Sequence, residues 1–294
     1  MSDRVRSHPL QDEAEQLSAA LPPLLMAAER LSSAVSLGVH GRRKAGMGET
    51  FWQFRRYRSE DARAAIDWRQ SAKSQHLFVR EREWEAAEAI WFWRDGSAGM
   101  DFKSAASPVT KLERANVLLL ALASLLVRGG ERIALLGDGR APASGRLPLR
   151  RIAHALSQKP DGHALPPSAP LSRNAQFIWV GDFLSPLSDI DAALRRIAAQ
   201  GLGGHLIHII DPAEEDFPYQ GRTRFDAPSG NTSEIFGRAE SVRDAYRAQF
   251  KAHGEAVAGL AQRLGWTYLA HRTDHSPQLA LVALYMNLGG DARA

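Results

Sequence analysis

The chain has 294 residues, enough for one large domain or for a domain with a smaller appendage. Its 44% hydrophobic and 24% charged residues are those of an ordinary globular protein, which excludes collagen-like and disordered classes. There is no cysteine, so disulfides, thiolate metal sites and cysteine nucleophiles are excluded, and 37 Lys/Arg against 33 Asp/Glu leave too small an excess to argue for nucleic acid by itself.

Residues 1–36 read as an N-terminal tail and helix, with a helical pattern over 11–35 interrupted at Pro22-Pro23. The polar, acidic opening lacks the apolar stretch of a signal peptide, and a cytoplasmic location is expected. Residues 37–87 form a basic, β-rich segment. Four glycines among basic residues over 37–51 indicate loop geometry, and short strand-like runs such as HLFVR follow.

From 88 to 294 the rhythm is that of an α/β domain. Strands are predicted at 88–95, 131–138, 175–182, 204–211 and 266–274. Between and after them lie helices at 107–130, 147–158, 185–200 (with a serine cap), about 233–265, and 276–289. The stretch 159–173 reads as a loop, and 217–230 as a hairpin or extended excursion. Alternation of short apolar strands with amphipathic helices predicts a doubly wound, mostly parallel sheet with helices on both faces. The most apolar run, 115–127, is thirteen residues long, too short for a bilayer crossing of ~20 residues, and reads as a buried helix.

Two aspartates end predicted strands: Asp95 closes EAIWFWRD and Asp182 closes FIWVGD. Ligands of open parallel sheets bind beyond the carboxyl ends of strands, at the point where strand order reverses. If the two strands are neighbours there, both carboxylates face one crevice, with Ser97 two residues beyond the first. An oxygen-only set suits Mg²⁺, Mn²⁺ or Ca²⁺ rather than zinc. The alternative reading of the same residues is helix capping. Other motifs fail. GRRKAGMGE lacks phosphate-loop spacing, and His205 and His208 fall on opposite strand faces. Trp91 and Trp93 share one face and read as core, and Ser97 has no evident base, so no catalytic residue is assigned.

The stretch 49–100 resembles the signature of domain-of-unknown-function family 58. It supplies Arg55, Tyr57, Asp61, Ile66, Asp67, Trp68, Ser71 and Ala72, with Glu60 at the family's usual glycine. Further matches are the strand ending at Asp182 and the stretch 210–225, so the similarity covers about 28–290. The resemblance implies a von Willebrand A-like fold and association with MoxR-type AAA+ ATPases. Von Willebrand A domains hold a divalent ion with D-x-S-x-S, a second-loop threonine and a third-loop aspartate. This chain offers Asp95, Ser97 and Asp182, but Gly99 replaces the second serine, and 144–151 brings no threonine. The resemblance therefore implies a degenerate site with weakly bound Mg²⁺ or Mn²⁺, which Gly99→Ser is expected to strengthen.

Residues 38–80 carry ten Lys/Arg against four acids, a net charge of +6. This charge has three readings: internal salt bridging, protein docking, or nucleic-acid binding without a fold-specific motif. The docking reading takes Arg55, Arg56, Tyr57, Arg58, Asp61, Asp67 and Trp68 as its surface. The function expected overall is a non-enzymatic adaptor or chaperone-like partner of a MoxR-type ATPase. The rival is a metal-dependent hydrolase or phosphotransferase using Asp95 and Asp182.

Overall fold

A computed structural model describes residues 22–39, 51–57, 66, 68–73, 76–82, 87–228 and 232–291. The chain divides into two compact units, Met1–His40 with Glu88–Ala294, and Gly41–Ala87. The first helix, α1 (Pro22–Val39), belongs to the larger unit and buries Ala28, Leu31, Ser32 and Val35, a stripe of helical period. Pro22 and Pro23 sit in its first turn, where a proline forfeits no helical hydrogen bond. The predicted helical stretch before Pro22 lies outside the described residues.

Among its described residues, the smaller unit holds an antiparallel ribbon of β1 (Phe51–Arg56) and β2 (Phe78–Arg82), with the one-turn helix α2 (Trp68–Ser71) between them in sequence. Arg55 pairs with Val79 and Arg56 with Phe78, and Tyr57 N donates to Leu77 O at 2.8 Å.

The rest of the larger unit runs β3 (Ala89–Arg94), α3 (Lys111–Arg128), β4 (Arg132–Leu135), α4 (Arg146–Ser157), β5 (Ala175–Gly181), α5 (Leu187–Ala198) and β6 (Gly203–Ile210). It continues with α6 (Pro212–Asp216), β7 (Thr223–Asp226), β8 (Ser233–Phe236), α7 (Arg243–Arg263), β9 (Thr267–Arg272) and α8 (Pro277–Asp291). The main sheet has the order β4-β3-β5-β6-β9 and every pairing in it is parallel. Both faces are covered, which is why its strands read as continuous apolar runs. Ile90, Phe92, Ile178, Val180, Ile207 and Ile209 pack on the face of α1, α3, α4 and α8. Trp91, Trp93, Phe177, Trp179 and Leu206 pack on the face of α5 and α7. The doubly wound α/β architecture expected from the sequence is the one found. The run at 115–127 is the heart of α3, buried on nearly its whole circumference.

Two expectations need correction. The helix placed at about 233–265 begins only at Arg243, since Ser233–Phe236 is the second strand of the β7–β8 hairpin. An aromatic cluster favours the strand there: Phe225 lies 5.6 Å from Phe217 and 5.8 Å from Phe236, centroid to centroid. Helix α5 has no serine cap; Pro186 occupies the cap position without a side-chain hydrogen bond.

Strand order places the reversal between β3 and β5. From β3 the chain goes to β4 on one side and then returns to β5 on the other, so the carboxyl ends of β3 and β5 flank a crevice. Asp95 and Asp182 are the first residues beyond those two ends.

Candidate functional site

Asp95 N donates to Val180 O at 2.8 Å, extending the β3–β5 ladder by one bond and fixing where the Asp95 side chain starts. Its Oδ1 accepts from Ser97 N at 2.8 Å and its Oδ2 from Asp182 N at 3.4 Å. Asp182 Oδ1 accepts from Leu184 N at 3.1 Å. Each aspartate thus braces the turn that follows its own strand, and Asp95 also reaches across to the neighbouring strand. Gly181 makes this approach possible, since a Cβ there would lie 2.9 Å from Asp95 Cβ. Beyond Asp182 the chain passes through Phe183 at φ 50°. His253 Nε2 bonds Phe183 O at 2.7 Å and holds that turn from α7.

The second oxygen of Asp182 turns to a side chain that sequence reasoning missed. Lys111, the first residue of α3, has its Nζ 3.1 Å from Asp182 Oδ2 and 2.5 Å from Glu214 Oε1, and its side chain is 0% exposed. A cation at a helix N-terminus opposes the helix dipole, so its position is set by the two carboxylates and not by the helix. Glu214 is held in turn: its Oε2 accepts from Asp211 N at 2.8 Å in the capping box of α6. Asp211, fully buried, accepts from Ala213 N at 2.9 Å and from Ser104 N at 2.9 Å, tying the β6 end to the loop after β3.

Of the other residues singled out, Ser97 is half-buried and hydrogen-bonds the Asp95 carboxyl. Gly99 is buried, and a Cβ on it would lie 2.6 Å from Asp182 Oδ2. A Cβ at Gly99 would crowd the tip of the Asp182 carboxylate at the oxygen that holds Lys111, so Gly99→Ser requires that carboxylate to shift. Among the described residues, no group of three or more His, Cys, Asp or Glu is arranged to hold a metal. In the smaller unit Trp68 is 65% exposed and Tyr57 is half-buried. The side chains of Arg55 and Arg56, and the whole of Arg58, Asp61 and Asp67, lie outside the described residues. His205 and His208 occupy opposite faces of β6 as expected, and Trp91 and Trp93 are core, donating to Ser172 Oγ and Ala164 O to pin the long loop before β5.

The family model described as "Protein of unknown function DUF58" matches residues 53–256, most of the chain. This chain belongs to the DUF58 family. Uncharacterized protein Rv1480 of Mycobacterium tuberculosis (strain ATCC 25618 / H37Rv) is 30% identical over 282 residues, covering 88% of this chain and 86% of the relative. Uncharacterized protein Mb1516 of Mycobacterium bovis matches at the same identity and coverage. Among solved structures, the conserved hypothetical protein BatB from Bacteroides thetaiotaomicron aligns with a TM-score of 0.41 at 15% identity, over 71% of this chain and 100% of that one. An aerotolerance-related membrane protein from Bacteroides fragilis aligns with a TM-score of 0.41 at 14% identity, over 69% of this chain and 100% of that one. No helix among the described residues of this DUF58 chain is long and apolar enough to cross a membrane.

The charges of the crevice are set by burial and by the charged neighbours together. Burial pulls Lys111 toward neutrality, but the charges and hydrogen bonds of Asp182 and Glu214 outweigh it and leave the ammonium above its usual range. Burial raises Glu214, and Lys111 offsets part of that. Burial, and then the charge of Asp182, push Asp95 up to about 7. Folded Asp95 thus holds its proton well above the unfolded value of 3.8, so its contribution to stability is full in acid and declines as pH rises from about 4 to 7. Asp95→Asn cannot ionise. Between about pH 5 and about pH 8 its melting temperature should fall less than the parent's, which thermal melts at the two pH values check.

Proposed function

We propose that this DUF58 chain is a non-enzymatic docking module whose crevice face binds a MoxR-type AAA+ ATPase. The observation that carries this reading is the composition of the crevice mouth. Two exposed apolar side chains, Phe102 (37%) and Leu184 (47%), flank a charge cluster whose members already satisfy one another. Lys111 Nζ lies 6.0 Å from the Phe102 ring centroid, and Leu184 N bonds Asp182, so both apolar groups are attached directly to the cluster. Apolar anchors beside satisfied polar groups suit a protein contact, where buried aromatic and aliphatic anchors carry most of the energy. The choice of ATPase rests on the association that the family signature implies, and a cytoplasmic location goes with it. Trp68, an exposed aromatic on the strongly basic segment, supports a second contact there, with fast and salt-sensitive association.

Binding of the purified chain to a MoxR-type ATPase from the same genome, followed by surface plasmon resonance, tests the reading. Saturable binding is expected, and Leu184→Glu should weaken it about tenfold or more by placing a charge in an apolar contact, a loss of about 1.4 kcal/mol. Binding to the ATPase that is indifferent to Leu184→Glu and Asp182→Ala, in variants that remain folded, would refute the crevice face.

One observation favours a hydrolase instead: Asp95, with its pKa near 7, sits beside the Ser97 hydroxyl, and perturbed carboxyls of this kind do serve as bases. Phosphatase or nuclease turnover abolished by Asp95→Ala would move the chain to that class.

A further inference from the structure

The von Willebrand A resemblance implies a divalent ion between the first-strand and third-strand aspartates, and the residues present do not fit one. We infer that Lys111 is a tethered replacement for that ion, so that the crevice at the ends of β3 and β5 is built to work without metal. The geometry supporting this has three parts.

The first is occupancy. The ammonium lies against Asp182 Oδ2 and Glu214 Oε1, at 3.1 and 2.5 Å, and is closed off from solvent. The remaining aspartate oxygens are engaged as well: Asp95 Oδ1 by Ser97 N, Asp95 Oδ2 by Asp182 N, and Asp182 Oδ1 by Leu184 N. A Mg²⁺ ion needs an octahedral oxygen shell at about 2.0–2.1 Å. To assemble one here it would have to displace the ammonium from Asp182 Oδ2 or sit beside that fixed positive charge in a medium of low dielectric, where like charges repel strongly.

The second part is Gly99. At the position where the metal-binding motif has a ligand serine, a Cβ would stand 2.6 Å from Asp182 Oδ2, the oxygen that holds Lys111. The absence of a side chain at Gly99 leaves the space in which Asp182 Oδ2 meets the ammonium. The third part is the place of Lys111 itself. A lysine at the first position of a helix works against the dipole, and burying its charge is costly unless paired. Here it has two carboxylate partners from two other elements, the turn after β5 and helix α6. One lysine thus joins α3, the β5 end and the β6 end, a joining task that a divalent ion performs elsewhere.

The inference is independent of the docking reading, because metal indifference is measured on the chain alone. Mg²⁺, Mn²⁺ and Ca²⁺ are titrated calorimetrically into the full chain, and melting temperatures are compared in EDTA and in several millimolar metal. The parent should give no binding heat and no shift in melting temperature. Lys111→Met should melt lower in EDTA and regain several degrees in metal, because a ligand that binds only the folded state stabilises it by mass action. Lys111→Gln serves in the same comparison if the Met variant does not fold, and the parent titration is decisive by itself if neither does. Stoichiometric binding of Mn²⁺ or Mg²⁺ to the parent, lost in Asp182→Asn, would overturn the inference. A folded Lys111 variant as indifferent to metal as the parent would overturn it too.

Discussion

Lys111→Met should lower folding stability by about 3–5 kcal/mol at neutral pH, the cost of removing one partner from a buried ion pair and leaving the other side uncompensated. Methionine keeps most of the volume of the lysine stem, so packing beneath the crevice is largely preserved and the loss is electrostatic. The pH dependence separates this from a packing defect. Without the ammonium, Glu214 loses the charge and hydrogen bond that offset part of the rise burial gives its carboxyl, so its folded-state pKa moves further above the unfolded one. The penalty is absent in acid, grows as pH rises past the unfolded value of 4.5, and is full once the buried carboxyl is forced to ionise. In the parent, the raised Lys111 pKa means that the contribution of the lysine is complete below its unfolded value of 10.5 and is lost only in strong alkali. Urea denaturation of parent and variant at about pH 5 and about pH 7.5 should therefore show the gap between them widening toward the higher pH. A gap that is the same at both would mean that Lys111 acts through packing.

Gly181→Ala should cost about 1–3 kcal/mol, the range for forcing extra volume into a closely packed site. The added methyl would lie 2.9 Å from Asp95 Cβ and 3.0 Å from Asp95 Oδ2. A Cβ cannot swing aside as the tip of a long side chain can, so the ends of β3 and β5 must separate. Asp182 N is bonded to Asp95 Oδ2 and the Asp182 carboxylate to Lys111, so the strain falls on the whole cluster. The same variant should weaken binding to the ATPase if the crevice face is the contact. Denaturation midpoints together with the binding constant check both consequences. Stability and binding equal to the parent's would show that the two strand ends are not held as close as described.

What the sequence revealed and what it hid differ for physical reasons. Asp95 and Asp182 were legible because each follows an apolar run, and parallel strands buried on both faces announce their own ends. That their strands are neighbours follows from the doubly wound order, in which the reversal falls between the first and third strands of the sheet. Lys111 was hidden. In T-K-L-E-R it looks like one more charged residue at a helix start, and its partners lie 71 and 103 residues away. The signal was present but indirect: a lysine in the first helical turn, where acids are favoured, next to a capping box that needs no cation. Glu214 was visible only as part of the D-P-A-E pattern after β6, whose capping role explains one of its oxygens and leaves the other for Lys111. The misplaced start of α7 has another cause. Residues 233–242 can be accommodated in a helix, and only tertiary pairing of Glu234 and Ile235 with Phe225 and Arg224 makes a strand of the first four.

A crystal structure of the parent grown in manganese chloride, with diffraction recorded at the manganese absorption edge, tests the central claim most directly. The account predicts no anomalous peak in the crevice, with the Lys111 ammonium in contact with both Asp182 and Glu214. A manganese peak between Asp95 and Asp182, with Lys111 displaced from them, would contradict it.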